Sequence, residues 1–202
     1  MTLFRTFKRN ETDEQLMERF ATQKSEKAFE ELYGRYAPRL KGFFMRMFSG
    51  NASLADDFLQ ELFLRIYEAR GSYQQGKCFS TWVFSMGYNL CKNEYRHREI
   101  VEEYMSQQSL VEEKDYCVSP EFEAVYDRQV FNEQLKKILI SLTDEQRAAY
   151  TLRYEEELSV QQIAQILHCP EGTVKSRLFY TLKILQHSLS NYNPQTTDYE
   201  KG

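Results

Sequence analysis

Glycine and proline are scarce in this chain, 8 and 4 of its 202 residues. An all-β sandwich or barrel needs a turn at the end of every short strand, so the scarcity argues against one. No apolar run approaches the roughly 18 residues that cross a bilayer, so no membrane span is expected. Met1-Thr2-Leu3-Phe4-Arg5 is basic but has no apolar stretch behind it, and it is not expected to act as a secretory signal. The four cysteines, Cys78, Cys91, Cys117 and Cys169, are far apart and form no C-x-x-C. Structural zinc is therefore not expected, and a reduced, cytoplasmic compartment is. The three histidines, His97, His168 and His187, each stand alone. There is no Gly-rich phosphate loop, no H-E-x-x-H and no nucleophile elbow, so neither an enzyme nor a cofactor is expected. A net charge of −4 excludes a uniformly basic nucleic-acid binder.

What is present is 42% hydrophobic and 28% charged residues, enough apolar material for a core. The charge is unevenly placed. Between Val101 and Asp127 eight acids face one base, Lys114, a local −7 that leaves the remainder of the chain at +3. That acidic stretch holds Ser106-Gln107-Gln108-Ser109 and no sustained apolar period, so it reads as a linker; a solvated helix face is the alternative. The expected organisation is all-α, with one helical domain over 1–98, an acidic linker over 99–119, a second helical domain over 120–190 and a flexible tail over 191–202.

Apolar residues before the linker recur at three and four. Leu16, Met17 and Phe20 predict a first helix, and Ala28 to Met47 a long second one bent near Pro38. Ser53 can cap a third, with Leu59, Leu62, Phe63 and Ile66 in its stripe. Gly71 to Gly76 breaks the pattern, and a fourth helix runs from about Ser80 to His97. After the linker, Ser119-Pro120 is a cap followed by an N1 proline. Thr143 to Gln146 and Ser159 to Gln162 are capping boxes. The short helix opened by Ser159 stops at His168-Cys169-Pro170, and another follows with Val174, Leu178, Leu182 and Leu185 inside. Two short helices joined by a tight turn, the second bearing Lys175, Ser176 and Arg177 at its start, form a helix-turn-helix that can enter a major groove. A helical-hairpin scaffold has the same apolar period, so the exposed Thr173, Lys175, Ser176 and Arg177 are what favour DNA.

Four stretches taken in order resemble the extracytoplasmic-function (ECF) sigma factors of bacterial RNA polymerase. They are Ala28-Phe29-Glu30-Glu31-Leu32-Tyr33 with Tyr36 to Leu40, Ala55-Asp56-Asp57-Phe58-Leu59-Gln60-Glu61-Leu62-Phe63-Leu64-Arg65-Ile66-Tyr67, Phe79-Ser80-Thr81-Trp82-Val83-Phe84 with Asn89, and Leu158-Ser159 through Ile163-Ala164 to Glu171-Gly172-Thr173-Val174-Lys175-Ser176-Arg177-Leu178. The resemblance implies a sigma-2 domain, a sigma-4 domain and transcription initiation as the function. It implies core RNA polymerase (the β′ clamp helices and the β flap), promoter DNA and an anti-sigma factor as partners.

Position by position, the resemblance assigns Asp57, Gln60, Glu61, Phe63 and Leu64 to polymerase docking. The residues alone say only that Asp57 and Glu61 share a polar helix edge with Gln60, and that Phe63 has the spacing of a core aromatic. The loop Tyr73-Gln74-Gln75-Gly76-Lys77-Cys78-Phe79-Ser80 resembles the one that captures a flipped base of the −10 element. Aromatics can stack an extruded base and Gly76 admits close approach, while Lys77, Lys92, Arg96 and Arg98 can follow phosphates. The −10 set is thus Tyr73, Gly76, Lys77, Phe79, Ser80, Asn89, Lys92 and Arg96, although Phe79 and Trp82 also fit a core. Asn93 stands where relatives often carry Asp. Thr173, Lys175, Ser176, Arg177 and Phe179 form the −35 set, with Arg177 alternatively bracing the fold, and Tyr180 stands where many relatives are basic. His168, at a turn position where relatives often have Gly, reads as a turn residue that tolerates positive φ. The competing reading is a stand-alone helix-turn-helix regulator of duplex DNA, which needs neither the Asp57 edge nor the aromatic loop. Melting itself needs no hydrolysis, because binding to extruded bases can supply its energy.

Overall fold

The computed structural model describes residues 11–106 and 126–189. Among them are eight α-helices and no strand: α1 Asp13–Gln23, α2 Glu26–Met47, α3 Ala52–Glu68, α4 Phe79–Ser106, α5 Tyr126–Ser141, α6 Asp144–Tyr154, α7 Val160–Leu167 and α8 Glu171–Ser188, with a 3₁₀ turn at Ala69–Ser72. The chain divides into two compact units, 1–90 and 91–202, and the division falls inside α4.

The first unit is built around aromatic rings. α1 starts at a capping box in which Thr12 Oγ1 accepts from the Gln15 N–H and Gln15 Oε1 accepts from the Thr12 N–H. Its buried stripe is Leu16, Met17 and Phe20. α2 runs unbroken through Pro38 and buries Leu32, Tyr36, Leu40, Phe43, Phe44 and Met47. Phe20 stacks on Phe29 at 4.7 Å, and Phe43 meets Phe84 of α4 at 5.6 Å. Rings in such offset and edge contacts contribute about 0.5–1.5 kcal/mol each beyond their buried area. Two polar ties fix α1 against α2: Asp13 accepts from the Tyr36 hydroxyl at 2.5 Å and from Arg35 at 2.6 Å. The cap of α3 is Asn51, whose Oδ1 accepts from the Leu54 N–H at 3.1 Å; Ser53, the expected cap, lies within the first turn. Ser49 and Gly50 both take positive φ and turn the chain so that Asn51 reaches that position.

The fourth helix is longer than expected. α4 continues from His97 to Ser106, past the boundary at 98, with Ile100, Val101 and Tyr104 exposed. No glycine or proline interrupts 88–106, and an i,i+4 pair between Glu94 and Arg98 (2.8 Å) supports the helix there. Residues 99–106 of the expected linker are therefore helical. The rest of the expected linker, the Ser119-Pro120 cap and the tail from 190 lie outside the described residues.

In the second unit both capping boxes form, at Thr143/Gln146 and Ser159/Gln162. A buried cation organises the junction of α5 and α6. Arg147, 5% exposed, donates from Nε to the Leu139 carbonyl (2.7 Å) and from Nη2 to those of Ile140 and Leu142 (both 2.9 Å). Carbonyls in a helix's last turn have no intrahelical donor, and a positive charge suits that end of the dipole. Arg147→Met keeps much of the volume but orphans those carbonyls. It is expected to destabilise the unit by about 2–4 kcal/mol in chemical denaturation, and a loss below 0.5 kcal/mol would contradict this role.

Candidate functional site

α3 presents one mixed edge to solvent. Asp57, Gln60 and Leu64 are exposed and Glu61 is half-exposed. Their spacing of three and four puts all of them on one helix face. Glu61 pairs with Arg65 one turn on at 2.5 Å, and Asp56, beside the edge, pairs with Lys41 of α2 at 2.6 Å. Leu64 is 58% exposed, and Tyr67 and Tyr33 are further exposed apolar side chains on α3 and α2. Such an edge offers carboxylates together with apolar area to a partner surface that is basic and apolar. Phe63 does not belong to it. It is 5% exposed and its ring lies 4.5 Å from that of Tyr33 and 6.0 Å from that of Phe29. The reason is angular: two residues on from Glu61, the helix has turned Phe63 toward α2.

In the loop between the 3₁₀ turn and α4 the core alternative holds for the rings. Tyr73 and Phe79 are buried, with Tyr73 5.2 Å from the half-buried Trp82 and Phe79 4.9 Å from Tyr36. Burial, with Glu14 and other acidic groups nearby adding to it, pushes the Tyr73 phenol up to about 12. It stays protonated at neutral pH and donates to the Lys77 carbonyl. The Lys77 N–H closes a turn onto the Gln74 carbonyl at 3.2 Å, and Gly76 takes φ +80 at the third position, where a side chain is strained. Both rings are packed into the core. What faces solvent is Gln74, Gln75, Gly76, Lys77 and Cys78. Ser80 is half-buried beside Cys78, their Oγ and Sγ 3.1 Å apart. Further along α4, Asn89, Lys92 and Arg96 recur at three and four and are all exposed.

The residues that hold this loop carry no signal in the sequence reading. Glu14 Oε1 accepts from the Phe79 N–H at 3.0 Å, and Glu18 Oε1 accepts from Gln75 Nε2 at 2.6 Å. Both acids lie on α1, about sixty residues away in sequence, and only the fold brings them to the loop.

In the second unit the turn from α7 to α8 has the expected form. His168 is left-handed at φ 52, and the Cys169 N–H returns to the Ala164 carbonyl at 3.1 Å. α8 buries Val174, Leu178, Thr181 and Leu185, whereas Leu182, expected inside, is 43% exposed. On the outer side Lys175, Ser176 and Phe179 are exposed, Phe179 by 62%, with Tyr180 beside it. Ser176 Oγ donates to the Thr173 carbonyl of the preceding turn, and Thr173 itself is half-buried. Arg177 leans back, its Nη1 3.6 Å from Cys169 Sγ, which is the bracing alternative. Of the five expected positions, Lys175, Ser176 and Phe179 are thus exposed and Thr173 and Arg177 half-buried. Among the described residues no three His, Cys, Asp or Glu gather to hold a metal, and no helix is long and apolar enough to cross a membrane.

Comparison with known proteins bears on these surfaces. Residues 32–99 match the family described as Sigma-70 region 2, and 132–185 match Sigma-70, region 4. The chain is 30% identical over 187 residues to the RNA polymerase sigma-H factor of Pseudomonas aeruginosa, covering 89% of this chain and 94% of that one. It is 30% identical over 175 residues to the ECF RNA polymerase sigma-E factor of Escherichia coli K12, covering 83% and 89%. Among solved structures, RpoE bound to the anti-sigma factor NepR from Bartonella quintana superposes with a TM-score of 0.65 at 25% identity, over 81% of this chain and 98% of that one. CnrH in complex with the cytosolic domain of CnrY shares the fold, with a TM-score of 0.66 at 19% identity over 90% and 99%.

The division of α3 into a buried and an outward face is open to direct test. Phe63→Ala is expected to cost about 3–5 kcal/mol of stability and Leu64→Ala less than about 0.5 kcal/mol, both read by thermal or urea unfolding. Equal losses would show that the two side chains share one environment.

Proposed function

The chain belongs to the extracytoplasmic-function sigma factors of bacterial RNA polymerase, and from that premise we propose how its parts divide the work of initiation. As a sigma factor it directs transcription initiation with core polymerase at promoter DNA, and it is not a stand-alone regulator. The first domain, taken as 1–98, docks on the polymerase and reads the −10 element. The second, 120–190, reads the −35 element, with an acidic connection between them. The chain supplies no catalytic step of its own and works in the bacterial cytoplasm.

In this reading Asp57, Gln60, Glu61 and Leu64 meet the β′ clamp helices, and Phe63 supports that edge from beneath. The β flap is the expected partner of the second domain. Lys175, Ser176 and Phe179 enter the major groove at the −35 element, where lysine and serine reach base edges and an aromatic can meet a thymine methyl. Thr173 and Arg177 hold the helix start in place. An anti-sigma factor is a further expected partner, as the RpoE relative is bound to one.

The observation that carries the −10 assignment is that the loop buries its rings and exposes hydrogen-bonding groups. An extruded base is recognised by hydrogen bonds at its Watson–Crick edge, for which the Gln74 and Gln75 amides supply donors and acceptors. Gly76 leaves room for the backbone to approach, and Lys77, Lys92 and Arg96 suit phosphates. Asn89 sits on the same helix as Lys92 and Arg96. Tyr73 and Phe79 serve by shaping the loop.

Reconstitution with core polymerase tests the division. Asp57→Lys with Glu61→Lys is expected to abolish pull-down of core polymerase at unchanged melting temperature. Lys175→Ala with Ser176→Ala is expected to weaken duplex −35 binding by about 1–3 kcal/mol. Gln74→Ala with Lys77→Ala is expected to spare that duplex binding, to leave the −10 thymines of a fully duplex promoter unreactive to permanganate, and to recover little transcription on a pre-melted template. If all three pairs fail in the same way on both templates, the division of labour is wrong.

A further inference from the structure

We infer that Glu14 and Glu18 of α1 are positioning residues for −10 recognition: they grip the loop before α4 at two points and hold it in the shape that exposes its amides. The inference rests on the reading of that loop as the −10 contact. Phe79 is the first residue of α4, and its N–H is one of the donors that a helix N-terminus leaves without an internal partner. Glu14 supplies the acceptor at 3.0 Å from another helix, and its charge suits the positive end of the α4 dipole. Glu18 lies one turn along the same face of α1 and takes the Gln75 amide at 2.6 Å, on the turn that Gly76 closes. The two carboxylates thus hold the tip and the end of one short loop. α1 cannot roll freely beneath them, because Asp13 is bonded to both Tyr36 and Arg35 of α2.

A direct role in holding nucleic acid does not suit these groups. Carboxylates repel phosphates, whereas the exposed Lys77 and Lys92 attract them. Carboxylates already bonded to the loop and cations left exposed are the arrangement expected when one set shapes the loop and the other meets DNA. The grip on Gln75 also fixes which way that amide points, so Glu18 sets the orientation of a group poised for a base edge.

Trp82, the chain's sole tryptophan, packs 5.2 Å from Tyr73 and 5.9 Å from Phe79, and so reports on the loop from inside it. In holoenzyme reconstituted from the full chain, Glu14→Ala is expected to lower permanganate reactivity of the −10 thymines about tenfold, the scale of one lost charge-assisted hydrogen bond. Glu14→Gln keeps the acceptor oxygen and is expected to restore opening to within about twofold. In the free protein the alanine variant is expected to shift Trp82 emission to the red and the glutamine variant to leave it in place. Glu18→Ala cuts only an exposed tie and is expected to lower opening about threefold with duplex −35 binding intact, so the test survives if Glu14→Ala does not fold. Normal opening by both alanine variants, or by Glu18→Ala alone where Glu14→Ala is unfolded, overturns the inference, and so does failure of Glu14→Gln to rescue. Gln74→Ala with Lys77→Ala separates the two readings. If that pair opens promoters normally, the loop is not the −10 contact. If that pair is defective and the α1 variants are normal, the loop reading stands and the positioning role falls.

Discussion

The ring of Phe79 is fully buried against Tyr36, while its backbone N–H, at the start of α4, is bonded to Glu14 of α1. One residue thereby ties the loop before it to three helices. Its side chain draws on the same free energy that assembles the core, about 1.5–3 kcal/mol for a buried aromatic side chain, and its amide takes a carboxylate that water would otherwise solvate. Tyr73 anchors the other end of the loop through a buried ring and a hydroxyl bonded within the loop itself. With both ends fixed, the residues between them have few conformations left. Pre-organisation of this kind lowers the ordering entropy that a base-capturing loop must lose on binding.

The second unit solves the same problem with no aromatic among the buried core of its described residues. α8 is held by an apolar stripe on one side and by a turn in which His168 accepts a left-handed conformation. Arg147 closes the end of α5 by satisfying three carbonyls from a buried position. The outward residues of α8 can therefore be few, because the helix that carries them is rigidly placed. Duplex DNA offers a groove that a helix enters as a body, whereas an extruded base must be met by a shaped pocket. The two units differ in the way those two targets differ.

Periodicity and capping made most helices legible from the sequence. Both capping boxes of the second unit and the left-handed His168 are local features, set by residues within four positions of one another. The positions the sequence left ambiguous share one cause. Phe63, Tyr73 and Phe79 have residue types that suit either a core or a ligand surface, and only the partners packed on them decide which. Those partners, Tyr33, Trp82 and Tyr36, are recruited by tertiary folding, and the Glu14 and Glu18 contacts are more distant still in sequence. Asn51 displaced Ser53 as a cap because the preceding left-handed turn at Ser49 and Gly50 decided where α3 begins. α4 outran its expected end because acidic composition alone does not stop a helix that meets neither glycine nor proline.

Recognition of the −10 element in this form requires that the loop's rings stay in the core while its amides and Lys77 meet the unpaired strand. A structure of the promoter open complex formed by this chain with core polymerase tests that most directly. It is expected to hold Tyr73 and Phe79 packed on Trp82 and Tyr36, with a −10 base lying against residues 74–78. A complex in which either ring has left the core to stack on that base would contradict it.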